Sequence, residues 1–181
     1  MVRFGMNAEL KKAKDRAAQA WSDSVLAAGK NMAPFISVEY SIVQWSNSVS
    51  ELYRDQWCGE ERHSDAGWDW EEIYRRYKSR PKNCLAAMIC DGRLSCLALF
   101  TATRQTVSVA FLEGDPREDC KMKPFRATIM LDLAATYGQR LGCNEIRLEP
   151  VNDRLTKLYE DDYGFERVTP KKGETYVRRS L

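Results

Sequence analysis

The chain has 181 residues, of which 44% are hydrophobic and 30% charged, with a net charge of +2. That is apolar material for one core plus an extension, and too much for a disordered chain. No apolar run approaches the roughly 20 residues that span a bilayer, and the charges scattered through residues 1–30 leave no apolar stretch for a signal peptide, so a protein of the cytoplasm with no membrane contact is expected.

In chain order, residues 8–29 read as a helix, with Leu10, Ala13, Ala17, Ala20 and Trp21 at helical spacing and Gly29 suited to its end. Phe35 to Tyr40 has weak strand character, and from Ile42 to Trp57 apolar residues return at helical spacing. A polar run from Gly59 to Gly67 follows. It holds the only histidine, His63, which reads as solvated loop, so a zinc site is not expected. Asp69, with Glu72 three residues on, has the pattern of a capping box for a helix that turns Trp70, Ile73, Tyr74 and Tyr77 inward and ends before Pro81.

A β region comes next. Leu85–Cys90 and Leu94–Ala102 flank Asp91-Gly92, a two-residue hairpin signal because both positions tolerate positive φ. Val107, Val109 and Phe111 alternate on a third strand that ends at Gly114, which completes an antiparallel meander. No two of the six cysteines have CxxC spacing, and Cys84, Cys90 and Cys96 fall in apolar stretches, where a reduced cysteine acts as a small hydrophobe. Arg126–Leu141 is a long helix with Met130, Leu133, Ala134, Tyr137 and Leu141 on one face, closed by Gly142. Glu145–Val151 reads as a strand, and Asn152 or Asp153 caps a helix carrying Leu155, Leu158 and Tyr159. Phe165–Val168 and Glu174–Arg178 form a last hairpin. Strand, helix, strand, helix, strand requires a crossover and at least one parallel pair.

From about Trp70 to Val168 the chain resembles the acetyl-CoA-dependent N-acetyltransferases of the GNAT superfamily. The resemblance rests on this element order, on Tyr137-Gly-Gln-Arg-Leu-Gly142 followed by Glu145-Ile-Arg-Leu148, and on Asn152-Asp-Arg-Leu-Thr-Lys-Leu-Tyr-Glu160 followed by Gly164-Phe165. It implies an α/β (α+β) fold with a mixed sheet, an antiparallel meander followed by β-α-β-α-β. Residues 1–34 are then an extra helical extension and 35–181 the acyltransferase domain.

The resemblance also implies a site. The family's glycine-rich pyrophosphate loop falls here on Met122-Lys-Pro-Phe-Arg-Ala127, where only Ala127 fits the pattern; Phe125 stands where a glycine is usual, and Met122 replaces a polar residue. A helix N-terminus suits a pyrophosphate, but Pro124 removes a donor and Phe125 adds bulk. Lys121, Lys123 and Arg126 oppose the helix dipole, which either reflects an anionic ligand or a solvated basic loop. Phe111, Leu112, Met122, Lys123, Phe125, Arg126, Ala127 and Asn152 are thus the implied acetyl-CoA residues, with Asn152 equally an ordinary cap and a backbone N–H near Leu112 the implied oxyanion donor. Tyr159 is the implied acid for the departing thiolate and Glu113 the implied base, with Glu149 in reserve. Trp68, Trp70, Tyr74 and Tyr77 are either core or a stacking wall for the acceptor.

Three functions follow: transfer of an acetyl group to an amine-bearing acceptor, a binding protein that has lost catalysis, or a protein acting on nucleic acid. Residues 1–30 carry six basic against three acidic residues and residues 166–181 five against two. These basic ends are solvated termini or a grip on phosphates. The N-terminal helix and an exposed final strand could also pair in a homodimer.

Overall fold

In the computed structural model, which describes residues 2–62 and 66–181, the chain opens with helix α1 (Val2–Met32), strand β1 (Ser41–Gln44), and helices α2 (Asn47–Trp57) and α3 (Trp70–Tyr77). Strands β2 (Cys84–Cys90), β3 (Arg93–Ala102) and β4 (Thr106–Gly114) follow. Helix α4 (Arg126–Leu141), strand β5 (Glu145–Leu148), helix α5 (Asp153–Tyr163) and strands β6 (Glu166–Val168) and β7 (Tyr176–Ser180) complete it. His63, read as solvated loop, lies outside the described residues.

The strands form one sheet in the order β1-β2-β3-β4-β5-β7-β6. Every neighbouring pair is antiparallel except β4 and β5. The β2–β3 turn takes its form from Asp91 and Gly92, both at positive φ (51° and 72°). This is the geometry that matches the twist of a tight hairpin. Asp69 caps α3, accepting from the Glu72 N–H at 2.9 Å.

Both faces of the central strands are covered, which is why β2 and β3 are almost continuously apolar rather than alternating. On one face Tyr53, Trp57, Trp70 and Ile73 of α2 and α3 pack on Leu85, Ala87, Leu97 and Leu99. On the other, Ile129, Met130, Leu133 and Tyr137 of α4 pack on Ala86, Met88, Cys96, Ala98 and Phe100. Burial pushes the Cys84 and Cys96 thiols up to about 12, so they behave as small hydrophobes.

Helix α1 lies antiparallel along the outer side of α4. Arg16 Nη2 donates to the Leu141 carbonyl at 3.3 Å, and fifteen residues later Asn31 Nδ2 donates to Asp132 Oδ2 at 3.1 Å. Its buried stripe is Ala17, Ala20, Ser24 and Ala28, with the Ser24 hydroxyl turned back to the Ala20 carbonyl. Small residues let the two helices approach closely.

Several expectations change. Helix α1 passes through Gly29 to Met32, and Leu10 is exposed rather than facing the core. Residues 35–40 are not a strand; the strand is Ser41–Gln44, paired with Ala86–Ile89, so Ile42 belongs to the sheet. The helix that follows begins at Asn47, where the Ser46 side chain accepts from the Val49 N–H. Strand β5 ends at Leu148, short of Val151. The final strand is not a sheet edge: β7 sits between β5 and β6, because its residues 177–180 pair with the whole of β5 and 176–178 with β6.

The small-residue stripe yields a test. Ala28→Leu, at a fully buried position, should force α1 away from α4 and cost about 1–3 kcal/mol. Leu26→Ala, at a position 65% exposed, should cost under about 0.5 kcal/mol. Urea denaturation of the two variants checks this.

Candidate active site

The site begins with an interruption in β4. Leu99 pairs with Phe111 and Phe100 with Val109, which leaves Ala110 as an extra, unpaired residue. A bulge of this kind bends the strand and shifts the side-chain alternation by one. Val107 and Val109 therefore face α4, whereas Phe111 belongs to the opposite face. The expected single face of Val107, Val109 and Phe111 does not exist.

The parallel ladder stops at the same place. Strand β5 pairs with Thr106–Val109 only, while β4 runs on to Gly114 held by β3 alone. The two strands diverge beyond Val109, and a cavity of about 1350 Å³ opens beside Leu112–Asp115. Its walls are the start of α4 with the loop before it, the outer face of α5, and Glu61, Arg62 and Ala66 between α2 and α3.

Of the residues singled out from sequence, Leu112, Glu113, Lys123, Arg126 and Asn152 line this cavity. The others do not. The Phe111 ring packs edge-on against Trp68 at 5.3 Å and close to Trp70 and Tyr77. Met122 is fully buried and Phe125 packs on the core below α4. The bulk of Phe125 is therefore spent inward, and these two apolar residues pin the loop from beneath. Ala127 is half-buried in the first turn of α4. Lys121 is drawn to Asp91 at 2.8 Å, away from the other two cations. Trp70 is fully buried and Trp68 packs edge-on against it. Tyr74 is half-buried and stacks on Trp45.

Asp115 organises the loop. Its carboxylate is buried and receives Arg93 Nε, Arg117 Nε at 2.9 Å, Arg117 Nη2 at 3.0 Å and the Arg117 N–H at 3.0 Å. Burial pushes this carboxyl up, but the bonds from Arg117 and Arg93 outweigh it and hold the group below the ordinary aspartate value. The Asp115 carbonyl accepts from Arg126 Nη1 at 3.1 Å. The Arg126 guanidinium lies so close over Gly114 that a Cβ there would fall inside it. Gly114 thus leaves the space that the Arg126 guanidinium occupies, and a larger residue there would make that side chain shift.

Helix α5 supplies residues that the sequence reading passed over: Arg154, Lys157 and, one turn on, Asp161, with Leu155 and Leu158 between them. Their three- and four-residue spacing on an exposed face was the available signal. Asn152 caps this helix, its side chain accepting from the Leu155 N–H at 2.9 Å. Tyr159 is on the inner side of the helix. It is buried against Tyr163 and Phe165 and does not line the cavity. Burial, with smaller effects of Tyr163 and Cys96, pushes its phenol up to about 12.

No protein-family model matches the chain, and no curated protein matches it by sequence. Solved structures do. An acetyltransferase of the GNAT family from Listeria monocytogenes superposes with a TM-score of 0.56 at 17% identity, over 80% of this chain and 96% of that one. The ribosomal-protein-S18-alanine N-acetyltransferase from Escherichia coli gives 0.56 at 16% identity, over 79% and 93%. YncA from Salmonella typhimurium, solved with its cofactor acetyl-CoA, gives 0.51 at 15% identity, over 78% and 94%. The chain has the GNAT fold, in a divergent form. Among the described residues no helix is long and apolar enough to cross a membrane.

Gly114→Ala should displace the Arg126 guanidinium and weaken the hold on an anion there, lowering the affinity for inorganic pyrophosphate by about tenfold, or 1.4 kcal/mol. Gly59→Ala, where an added Cβ meets nothing, should leave the affinity unchanged. Calorimetric titration of both variants reads this.

Proposed function

We propose that this protein is an N-acetyltransferase that binds acetyl-CoA in the cavity beside β4 and passes the acetyl group directly to a primary amine. The observation that carries the reading is the combination of a β4–β5 ladder that stops at Val109 with four cations, Lys123 and Arg126 at the start of α4 and Arg154 and Lys157 on α5, lining the opening. The residues fit a coenzyme that pairs an amide-bearing arm with phosphates. Beyond Val109 the free edge of β4 offers backbone N–H and C=O groups to an extended arm. The cations and the α4 N-terminus suit a pyrophosphate.

Direct transfer is supported by the lining itself. Among the described residues no cysteine, serine, threonine or histidine lines the cavity, and direct transfer needs no such nucleophile. The amine nitrogen attacks the thioester carbonyl, the C–S bond breaks, and the sulfur takes a proton. Tyr159 is our candidate donor. With its phenol near 12 it stays protonated across neutral pH, and it sits on α5 directly behind the cavity-lining residue Leu158. Glu61 and Glu118, also on the lining, are the carboxylates that take the amine proton through water. Six free cysteines accord with a reducing cytoplasm.

Two measurements test this. Acetyl-CoA should bind with micromolar affinity and lose at least about tenfold in Lys123→Ala/Arg126→Ala; no binding at millimolar acetyl-CoA overturns the reading. Tyr159→Phe should lower kcat by roughly 10²-fold with acetyl-CoA affinity unchanged. In the unaltered enzyme the kcat profile should show no alkaline fall from this phenol below about pH 10, since a raised value keeps the proton on well past neutrality. Turnover equal to the parent's would remove Tyr159 from the mechanism.

A further inference from the structure

Glu113 is buried at the end of β4 and surrounded by donors from the segment that joins α2 to α3. Oε2 accepts from Trp70 Nε1 at 2.6 Å. Oε1 accepts from the Gly67 N–H at 2.9 Å and from Arg62 Nη1 at 3.4 Å. Arg62 is itself tied down. The same Nη1 donates to the Trp68 carbonyl at 3.2 Å, Nη2 lies 3.4 Å from the Tyr53 hydroxyl, and that hydroxyl also donates to the Trp68 carbonyl. Among the described residues both carboxylate oxygens are engaged, Oε1 by two donors and Oε2 by one.

This arrangement differs from that of a proton shuttle, which needs an unengaged oxygen facing the reacting group. Among the described residues the donors to Glu113 are Arg62, Gly67 and Trp70, and Arg62 and Ala66 line the same cavity as the cations of α4 and α5. An unpaired carboxylate or guanidinium buried here would be costly, so the segment and the strand hold each other.

We infer that Glu113 is a positioning residue that latches Arg62 and residues 66–70 onto β4 and so shapes the part of the cavity lined by Arg62 and Ala66, against which the amine acceptor docks. The inference rests on the acetyltransferase reading for the acceptor, but not for the latch. Glu113 acts through Gly67, Arg62 and Trp70 rather than on the reacting atoms.

The test has two arms. In the first, amide hydrogen exchange of residues 66–70 is followed without ligand, in the parent, Glu113→Ala and Arg62→Ala. The Gly67 amide should exchange at least about tenfold faster in Glu113→Ala, and faster also in Arg62→Ala, with exchange in α4 unchanged. Unchanged Gly67 exchange in Glu113→Ala overturns the latch. Should Glu113→Ala fail to fold, Arg62→Ala decides by the same criterion. In the second arm, CoA release is followed with acetyl-CoA and the tripeptide Ala-Ala-Ala as amine probe. Glu113→Ala should raise the probe's KM about tenfold, leave kcat within about threefold and keep the shape of the pH profile. A fall of about 10²-fold in kcat with loss of the acidic limb would make Glu113 the base and overturn the inference. If no variant and no parent protein releases CoA, the acetyltransferase reading loses support while the exchange arm still decides the latch.

Discussion

Four residue pairs of parallel ladder join β4 to β5, and the cavity exists because the ladder stops there. A strand edge that ends inside a protein leaves N–H and C=O groups that must find water or a ligand, since buried unpaired backbone is costly. Here the free edge extends from the bulge at Ala110 to Gly114. Strand β5 ends at Leu148 and helix α5 begins at Asp153, so no strand continues beside this edge of β4. What remains is an opening with a polar strand edge on one wall and two helix N-termini, α4 and α5, nearby.

The charge arrangement around this opening works against local helix stability. Lys123 and Arg126 stand at the positive end of α4, and Phe125 provides no side-chain cap. The compensation comes from elsewhere in the chain. Arg126 is held by the Asp115 carbonyl, Asp115 by Arg93 and Arg117, and Arg117 reaches Gln56 of α2 at 3.1 Å. A loop that lacks glycines is thus shaped by an ion-pair network above and by Met122 and Phe125 in the core below. At the cavity the absence of a side chain is used at Gly114, under the Arg126 guanidinium, and this glycine lies on the strand, not in the loop.

Much of this was legible locally. The Asp91-Gly92 turn, the Asp69 and Asn152 caps and the buried face of α4 are short-range patterns, and each forms where its residues suggest. The errors were of two physical kinds. Between Ile42 and Trp57 the apolar spacing fits one long helix, and only pairing with β2 makes the first part a strand. Likewise β7 becomes an interior strand through contacts with β5, from which it is distant in the chain. In the site, Lys123 and Arg126 were visible as misplaced charges, whereas the Asp115 network joins residues from β3, the loop and α2 and has no local signature. Phe111 was misassigned because a bulge leaves no mark on simple alternation.

That bulge also determines what Glu113 can do. With unbroken alternation, residues 111 and 113 would follow Val107 and Val109 toward α4. One extra residue turns them to the opposite face, where Phe111 meets Trp68 and Trp70 and the Glu113 carboxylate meets Trp70 Nε1 and the Gly67 N–H. The same irregularity therefore accompanies both walls of the cavity. It lies where β4 parts from β5 on the cation-bearing side, and it delivers a carboxylate to the α2–α3 segment on the other. A change that removed the bulge would disturb both sides together, whereas a change at Glu113 alone would disturb one. This is the physical reason for treating the two sides as separable in function, though they depend on one residue of β4.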